Sequence, residues 1–131
     1  MPEAQRRPGA TRVVVVDDDL HQLRLIERTL EAEGFEVRST AEPIGASNLV
    51  RAFQPDIVLL DVNIPALPGD RLLGLIRKVA PAHTRLVLHS STDQESLRER
   101  ARKVGADAWI QKNFEGGELA SRLRRLLSQH P

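Results

Sequence analysis

The sequence predicts an α/β fold in which five parallel strands alternate with five helices. Short apolar runs at residues 13–16 and 57–60 are typical of strands that are buried on both faces of a sheet. Between such runs lie longer segments whose apolar residues recur at helical spacing, and glycine or proline residues mark their ends. Because parallel strands need crossover connections, this alternation indicates a doubly wound sheet, for which we expect the strand order 2-1-3-4-5.

Length and composition indicate one domain without disulfides or a membrane span. The chain has 131 residues, a net charge of +1 and no cysteine. It contains no apolar run near the roughly 20 residues that a membrane span needs, and no signal peptide at its N-terminus. We therefore expect a cytoplasmic protein with a folded domain at residues 12–128, flanked by tails at 1–11 and 129–131. We expect no membrane partner and no direct binding of nucleic acid.

The first half of the chain contains two strand–helix units. Four valines at residues 13–16 are β-branched and predict the first strand. Asp19 is a favourable N-cap for the helix that follows, and Gly34 is the kind of residue that ends one. Residues 35–39 alternate between apolar and polar types, so we expect a half-exposed edge strand there. Pro43 suits the first turn of a second helix, and a further proline limits that helix at its end.

The second half of the chain continues the alternation with three strands and three helices. The strands are predicted at residues 57–60, 85–90 and 106–112. A loop rich in proline and glycine precedes the third helix, which Pro81 ends. The cap-type residues 91–93 precede the fourth helix, which Gly105 ends. A last helix is indicated by apolar residues at helical spacing, namely Leu119, Leu123, Leu126 and Leu127.

Charged and hydroxyl side chains collect at the predicted carboxyl ends of the strands. They are Asp17, Asp18 and Asp19 after the first strand, Asp61 after the third, Ser90 at the end of the fourth and Lys112 at the end of the fifth. In the expected strand order these four strands are neighbours, so the side chains meet in one pocket. Oxygen ligands without histidine or cysteine suit a hard cation, for which Mg²⁺ is the expected cofactor, and a lysine beside them suits phosphate.

This set of residues is suited to phosphoryl transfer. A carboxylate such as Asp61 can attack phosphorus and form an acyl phosphate. Such a transfer depends chiefly on positioning and on neutralising charge at the phosphoryl oxygens. Mg²⁺ and Lys112 can neutralise that charge, and Ser90 can donate a hydrogen bond to a phosphoryl oxygen.

His89, the neighbour of Ser90 in the strand, is expected to point to the opposite face, in a packing or surface role.

The pattern resembles the receiver domain of bacterial two-component response regulators over roughly residues 12–127. The resemblance rests on the joint spacing of several motifs, which are Val-Val-Asp-Asp ending at Asp18, Asp61 after Ile-Val-Leu-Leu, Ile64-Pro65 and Gly69, Ser90, and Gly105-Ala106-Asp107-Ala108 before Lys112. It implies a flavodoxin-like, doubly wound (βα)5 fold. It also implies a signalling phosphoacceptor, rather than an enzyme, that assists its own phosphorylation and dephosphorylation.

The resemblance implies a role for each matched residue. Asp61 is the expected phosphoacceptor, which receives a phosphoryl group from a sensor histidine kinase or a histidine phosphotransfer protein. Asp18 is expected to ligate Mg²⁺ directly, and Asp17 directly or through water. Asp61 and the backbone carbonyl of Asn63 are the remaining expected ligands. Lys112 is expected to pair with Asp61 and then with the phosphoryl group.

The resemblance also implies two switch residues, and the sequence departs from the family pattern at two positions. Ser90 occupies the Ser/Thr switch position, and Trp109 occupies the aromatic one, where family members more often carry tyrosine or phenylalanine. The residue after the lysine is usually a proline that follows a cis bond, and here it is Asn113. The loop after Lys112 is therefore either trans and differently directed, or it holds a strained bond. The indole of Trp109 either restricts the switch or simply packs on the last helix.

Two alternative functions remain open from the sequence. Trp109 and Asn113 suit a pseudo-receiver, a binding module that keeps the fold and works without phosphorylation. The Asp-x-Asp at residues 17–19 also resembles that of haloacid-dehalogenase phosphohydrolases, but the other expected motifs of that family do not follow it. For a receiver, we expect output through a downstream protein or a missing effector domain, and a homodimer through the last helix is possible.

Overall fold

Five strands and five helices alternate along the chain in the computed structural model, which describes residues 9–61, 69–112 and 116–128. The strands are β1 (Arg12–Val16), β2 (Glu36–Thr40), β3 (Ile57–Asp61), β4 (Arg85–Ser90) and β5 (Ala108–Gln111). The helices are α1 (Leu20–Ala32), α2 (Pro43–Phe53), α3 (Gly69–Val79), α4 (Gln94–Val104) and α5 (Gly116–Ser128). All strand pairs are parallel and the sheet order is β2-β1-β3-β4-β5, so the predicted fold class and strand order are confirmed.

Two apolar layers cover the two faces of the sheet. Side chains alternate along each strand, so Val14 and Val16 enter one layer while Val13 and Val15 enter the other. Helices α2, α3 and α4 cover the first face, and α1 and α5 cover the second. Every residue of β1 and β3 is buried, whereas β2 is half-exposed, as its alternating sequence predicts for an edge strand. The buried central strands β1 and β3 thereby hold in place the residues at their carboxyl ends.

The predicted helix caps are present. The side chain of Asp19 accepts hydrogen bonds from the backbone N–H groups of His21 and Gln22, at 2.9 and 3.2 Å. Among the cap-type residues 91–93, Asp93 is the one that caps α4, since it accepts from the N–H of Ser96 at 3.0 Å. Gly105 ends α4 with φ of 75°, a left-handed conformation that favours glycine.

Two strands begin later than predicted, because residues predicted at their starts complete the ends of the preceding helices. The N–H of Phe35 donates to Leu30 O in the last turn of α1, and its ring is buried in the core, so β2 begins one residue later than predicted. Ala106 donates to Ala101 O at the end of α4, so β5 begins at Ala108 instead of residue 106. Lys112 lies just beyond β5 and still donates its N–H to Ser90 O at 2.7 Å.

Candidate functional site

Three carboxylates meet at the carboxyl ends of β1 and β3. Asp17 and Asp18 follow β1 directly, and Asp61 is the last residue of β3. One oxygen from each of the three side chains lies within 4.8 Å of the other two. Asp17 is 1% exposed and Asp61 is 7% exposed, while Asp18 is open to solvent. Because buried like charges at this distance repel strongly, the cluster requires a cation.

Lys112 supplies a positive charge inside this cluster. Its Nζ lies 2.8 Å from Oδ2 of Asp17 and 3.4 Å from Oδ2 of Asp61, and its side chain is 7% exposed. The hydrogen bond between Lys112 N–H and Ser90 O extends the β4–β5 ladder and fixes where the side chain starts. The structure therefore brings together four of the predicted site residues, Asp17, Asp18, Asp61 and Lys112.

Asp17 is held at both of its carboxylate oxygens. Oδ2 accepts from Lys112, and Oδ1 accepts from the backbone N–H of Asp19 at 3.0 Å. Asp19 in turn caps α1, which agrees with its prediction as a cap. The turn between β1 and α1 thus orients one carboxylate of the cluster through backbone hydrogen bonding, while the adjacent Asp18 stays at the surface.

Gln22 is a site residue that the sequence reasoning did not identify. Lys112 Nζ donates to its side-chain oxygen, so this lysine contacts the residue after β1, the last residue of β3 and a residue of α1. The available signal was the spacing of Asp19 and Gln22, which is that of a capping box and predicts a glutamine directed back toward the start of its helix. Which residue it meets there depends on the packing of β5 near α1.

Ser90 lies at the end of β4 and is fully buried. Its Oγ donates to Oγ1 of Thr92 at 2.9 Å and accepts from the N–H of Thr92 at 3.1 Å. The side chain of Gln111 reaches the same segment and donates to Thr92 O at 3.1 Å. The hydroxyl is thus hydrogen-bonded to the start of the loop that leads into α4.

Trp109 lies on β5, three residues before Lys112, and is partly buried. It packs against the apolar layer formed with α2, α3 and α4. It also lines a shallow groove together with Arg122, Arg125 and Leu126 of α5. The indole therefore contacts both the core layer that contains α4 and the last helix, whereas packing on the last helix alone was one of the two expectations.

His89 lies on the face of β4 opposite Ser90, as the strand alternation predicts, and it is buried. It is paired in register with Asp61 of the neighbouring β3. Burial lowers the pKa of His89 from 6.5 to about 4, and the charge of Lys112 acts in the same direction, while Asp17 partly opposes them. The imidazole is therefore neutral at pH 7, and it lies close enough to Lys112 and Asp17 for their charges to affect its pKa. The sequence predicted its face but not its proximity to the lysine.

Two predicted features lie outside the described residues. Asn63, the expected carbonyl ligand, falls in the segment between residues 61 and 69 together with the Ile64-Pro65 motif. Asn113 and its peptide bond to Lys112 fall between residues 112 and 116. In the described part of the chain, no helix has the length and apolar character needed to cross a membrane.

Known proteins resemble this chain in sequence and, where their structures are solved, in fold. Over 120 residues the chain is 33% identical to the protein RcaC of Microchaete diplosiphon, an alignment that covers 90% of this chain and 18% of that protein. The chain thus spans less than a fifth of the length of this curated relative. A response regulator from Thermotoga maritima is 27% identical with a TM-score of 0.76, over 92% of this chain and 99% of that one.

A chemotaxis protein of known structure and a family model also match this chain. The chemotaxis response regulator CheY4 of Vibrio cholerae superposes with a TM-score of 0.77 over 89% of this chain and 98% of that one, and its 23% identity shows the fold alone. The family model described as the response regulator receiver domain matches residues 13–124, from the first valine of β1 well into α5. The chain belongs to the response regulator receiver domain family.

Proposed function

We propose that this receiver domain is phosphorylated on Asp61 by a histidine kinase or a histidine phosphotransfer protein, in a reaction that depends on Mg²⁺. The observation that supports this proposal most strongly is the placement of three carboxylates within 4.8 Å of one another, with a buried lysine between two of them. Asp61 is the best acceptor among the three, because it ends β3 at the centre of the sheet and pairs with the lysine at the longer distance.

The donor atoms of the cluster fit a hard divalent cation. Asp17, Asp18 and Asp61 offer carboxylate oxygens only, which is the ligand type that Mg²⁺ prefers. We propose that these three side chains hold the ion together with the backbone carbonyl of Asn63. When bound, Mg²⁺ supplies positive charge against the phosphoryl oxygens. The exposure of Asp18 leaves a side of the cluster open to water, which suits an ion that keeps several of its waters.

The transfer itself needs an oxygen nucleophile and a cation that follows the phosphoryl group. In the proposed step an oxygen of Asp61 attacks phosphorus, the P–N bond to the donor histidine breaks, and the electron pair of that bond stays on the imidazole nitrogen. Lys112 then exchanges its contact with Asp61 for one with a phosphoryl oxygen. The distance of 3.4 Å between Lys112 and Asp61 suits this exchange, since the pair is close but not the tightest in the cluster.

Ser90 and Trp109 are the proposed switch. The Ser90 hydroxyl is engaged by Thr92, and the proposal requires it to turn and donate to the phosphoryl group instead. The loss of that bond releases the start of the loop before α4. Trp109 packs against the layer that contains α4, so a shift of this loop alters the environment of the indole.

We propose that the receiver occupies residues 12–128 between the two tails, works in the cytoplasm, and is not itself an enzyme with a separate substrate. Because the chain covers 18% of RcaC, output is proposed to pass either to another domain of a longer protein or to a separate downstream protein. We also propose a homodimer through α5 as a route for that output.

The test is phosphorylation of the full chain by a small acyl phosphate. The protein is incubated with acetyl phosphate and Mg²⁺, and its intact mass is measured. We expect one HPO₃ unit to be added, and we expect the addition to require Mg²⁺ and to be absent in Asp61→Asn. No adduct in the wild type contradicts the proposal and favours the pseudo-receiver. Release of phosphate from many unrelated substrates contradicts it in favour of a phosphohydrolase.

A further inference from the structure

We propose that Gln22 is a positioning residue for Lys112, and that its side-chain amide couples the placement of the lysine to the binding of the metal. The inference rests on the proposed function, because it assigns Lys112 and Asp17 the roles given above. It adds a residue of α1 to a site otherwise formed by residues at the carboxyl ends of strands.

The hydrogen bonds of Lys112 place its ammonium group within the cluster. An ammonium group has three N–H donors and no acceptor. Among the residues that the structure describes, three oxygens lie within hydrogen-bond distance of Nζ, and they belong to Asp17, Asp61 and Gln22. The contact with Asp61 is the longest of the three. Asp17 and Gln22 together therefore hold the ammonium on the α1 side of the cluster.

The cap of α1 explains why Gln22 is available for this contact. Asp19 is the N-cap, so Gln22 is the third residue of the helix, where a glutamine commonly accepts a hydrogen bond from the N–H of the cap residue. Here the N–H of Asp19 donates to Asp17 instead. The carbonyl oxygen of Gln22 is left to accept from Lys112. The hydrogen bonds from Asp19 to Asp17 and from Lys112 to Gln22 thus connect the start of α1 to both members of the Asp17–Lys112 pair.

The neutral charge of the amide decides its function. A cation that binds Asp17 competes with Lys112 for the same carboxylate, since two positive charges then face one negative group. Gln22 offers Lys112 an acceptor that does not attract the metal ion as a carboxylate does. It can therefore retain the lysine near Asp61 while Asp17 turns to the metal. Being a weaker acceptor than a carboxylate, it also leaves the lysine able to bind a phosphoryl oxygen.

Two substitutions of Gln22 are expected to change Mg²⁺ affinity in opposite directions. Gln22→Ala removes an acceptor, so Lys112 relies more on Asp17 and competes better with the ion, which weakens Mg²⁺ binding. Gln22→Glu draws Lys112 away from Asp17 and adds a negative charge, which strengthens it. We expect changes of about three- to tenfold, the order of magnitude for one hydrogen bond to a charged group. Both variants are expected to accept phosphate from acetyl phosphate more slowly at saturating Mg²⁺, because the lysine is misplaced in the first and held too strongly in the second.

The experiment measures Mg²⁺ binding by calorimetry on the unphosphorylated full chain, and follows the Lys112 ammonium by ¹H–¹⁵N NMR. In the wild type the ammonium is buried, so its hydrogens are expected to exchange slowly with water. We expect faster exchange in Gln22→Ala and slow exchange again in Gln22→Glu. Thermal unfolding verifies that each variant is folded, and glutamate is well tolerated at this helix position.

Gln94 provides the matched control, because it is an exposed glutamine in the first turn of another helix, α4. Gln94→Ala and Gln94→Glu are expected to keep wild-type Mg²⁺ affinity and ammonium exchange. Mg²⁺ affinities of the two Gln22 variants that equal the wild type, or that change in the same direction, overturn the inference. An absence of phosphorylation in the wild type contradicts the proposed function instead, and leaves the binding and NMR measurements as the test of Gln22.

Discussion

The ammonium of Lys112 lies 2.8 Å from the carboxylate of Asp17, and more than nine-tenths of each side chain is buried. The two residues are separated by most of the chain, and because all strands are parallel, the carboxyl ends of β1 and β5 lie on the same side of the sheet. In the structure this lysine is the cation that compensates the buried carboxylate. Lys112 therefore stabilises the unphosphorylated fold as well as serving the proposed transfer.

Replacing Lys112 by methionine tests this double role. The change keeps an unbranched side chain but leaves Asp17 and Asp61 without their cation, so we expect the free energy of unfolding to fall by about 3 kcal/mol in EDTA. Added Mg²⁺ is expected to restore part of that loss and to bind more tightly than in the wild type, since no ammonium competes for Asp17. Urea unfolding with EDTA and with Mg²⁺ measures both effects. An equal loss of stability under both conditions contradicts the competition.

Asp18 and Asp19 are adjacent carboxylates with different proposed roles. Asp18→Asn removes a proposed ligand, so we expect Mg²⁺ affinity to fall by about tenfold or more, and phosphorylation by acetyl phosphate to be largely lost. Stability in EDTA is expected to stay equal or to rise slightly, because the change relieves repulsion within the cluster. Calorimetry gives the affinity and urea unfolding gives the stability.

Asp19→Asn is the control for that substitution. Asparagine is as good an N-cap as aspartate, so the cap of α1 is preserved while a charge is removed one residue away from Asp18. We expect Mg²⁺ affinity to change by much less than in Asp18→Asn. A similar loss in both variants contradicts the assignment of Asp18 as a specific ligand, and indicates that only the total charge matters.

His89 is expected to make the stability of the fold depend on pH. Its pKa is about 4 in the folded chain and 6.5 for an ordinary histidine, so between these values the unfolded chain binds a proton that the folded chain does not. Stability is therefore lost as pH falls from 6.5 to 4, by about 3 kcal/mol at most from this residue.

The variant His89→Leu isolates that contribution. It removes the buried imidazole and is expected to flatten the decline of unfolding free energy between pH 6.5 and pH 4, the window bounded by the two pKa values. The carboxylates titrate in both proteins and cancel in the comparison. His21→Leu, which removes an exposed histidine, serves as the matched control. A decline as steep in His89→Leu as in the wild type contradicts the prediction.

Trp109 is the one tryptophan of the chain, so its fluorescence reports on the proposed switch. We expect the emission to change when acetyl phosphate and Mg²⁺ are added to the wild type, because the indole packs against the layer that contains α4. No change is expected in Asp61→Asn. Ser90→Ala still carries the acceptor, so it is expected to gain the phosphoryl mass while showing a smaller change in emission. A full fluorescence change in Ser90→Ala contradicts the switch role of the hydroxyl.

Much of the fold was predictable because its signals are local. The valines of β1 and the apolar run of β3 favour strands, and Asp19 favours the start of a helix. Each of these preferences depends on a few neighbours in sequence. The start of β2 was predicted one residue too early because Phe35 suits a strand by its type, yet its N–H completes the end of α1. A pattern of residue types does not show which of two adjacent elements uses a backbone group.

The sequence by itself determined the order of the elements and the position of the acidic cluster, because apolar runs end where strands leave the core and the charged residues follow directly. The tertiary structure alone decided which side chains touch. Gln22 accepts a hydrogen bond from Lys112, and His89 lies close enough to Lys112 and Asp17 for their charges to affect its pKa. Such contacts join segments far apart in the chain, and their distances depend on how α1 packs on the face of the sheet that contains β5. Periodicity and capping rules describe single elements, and carry no information about the separation between two of them.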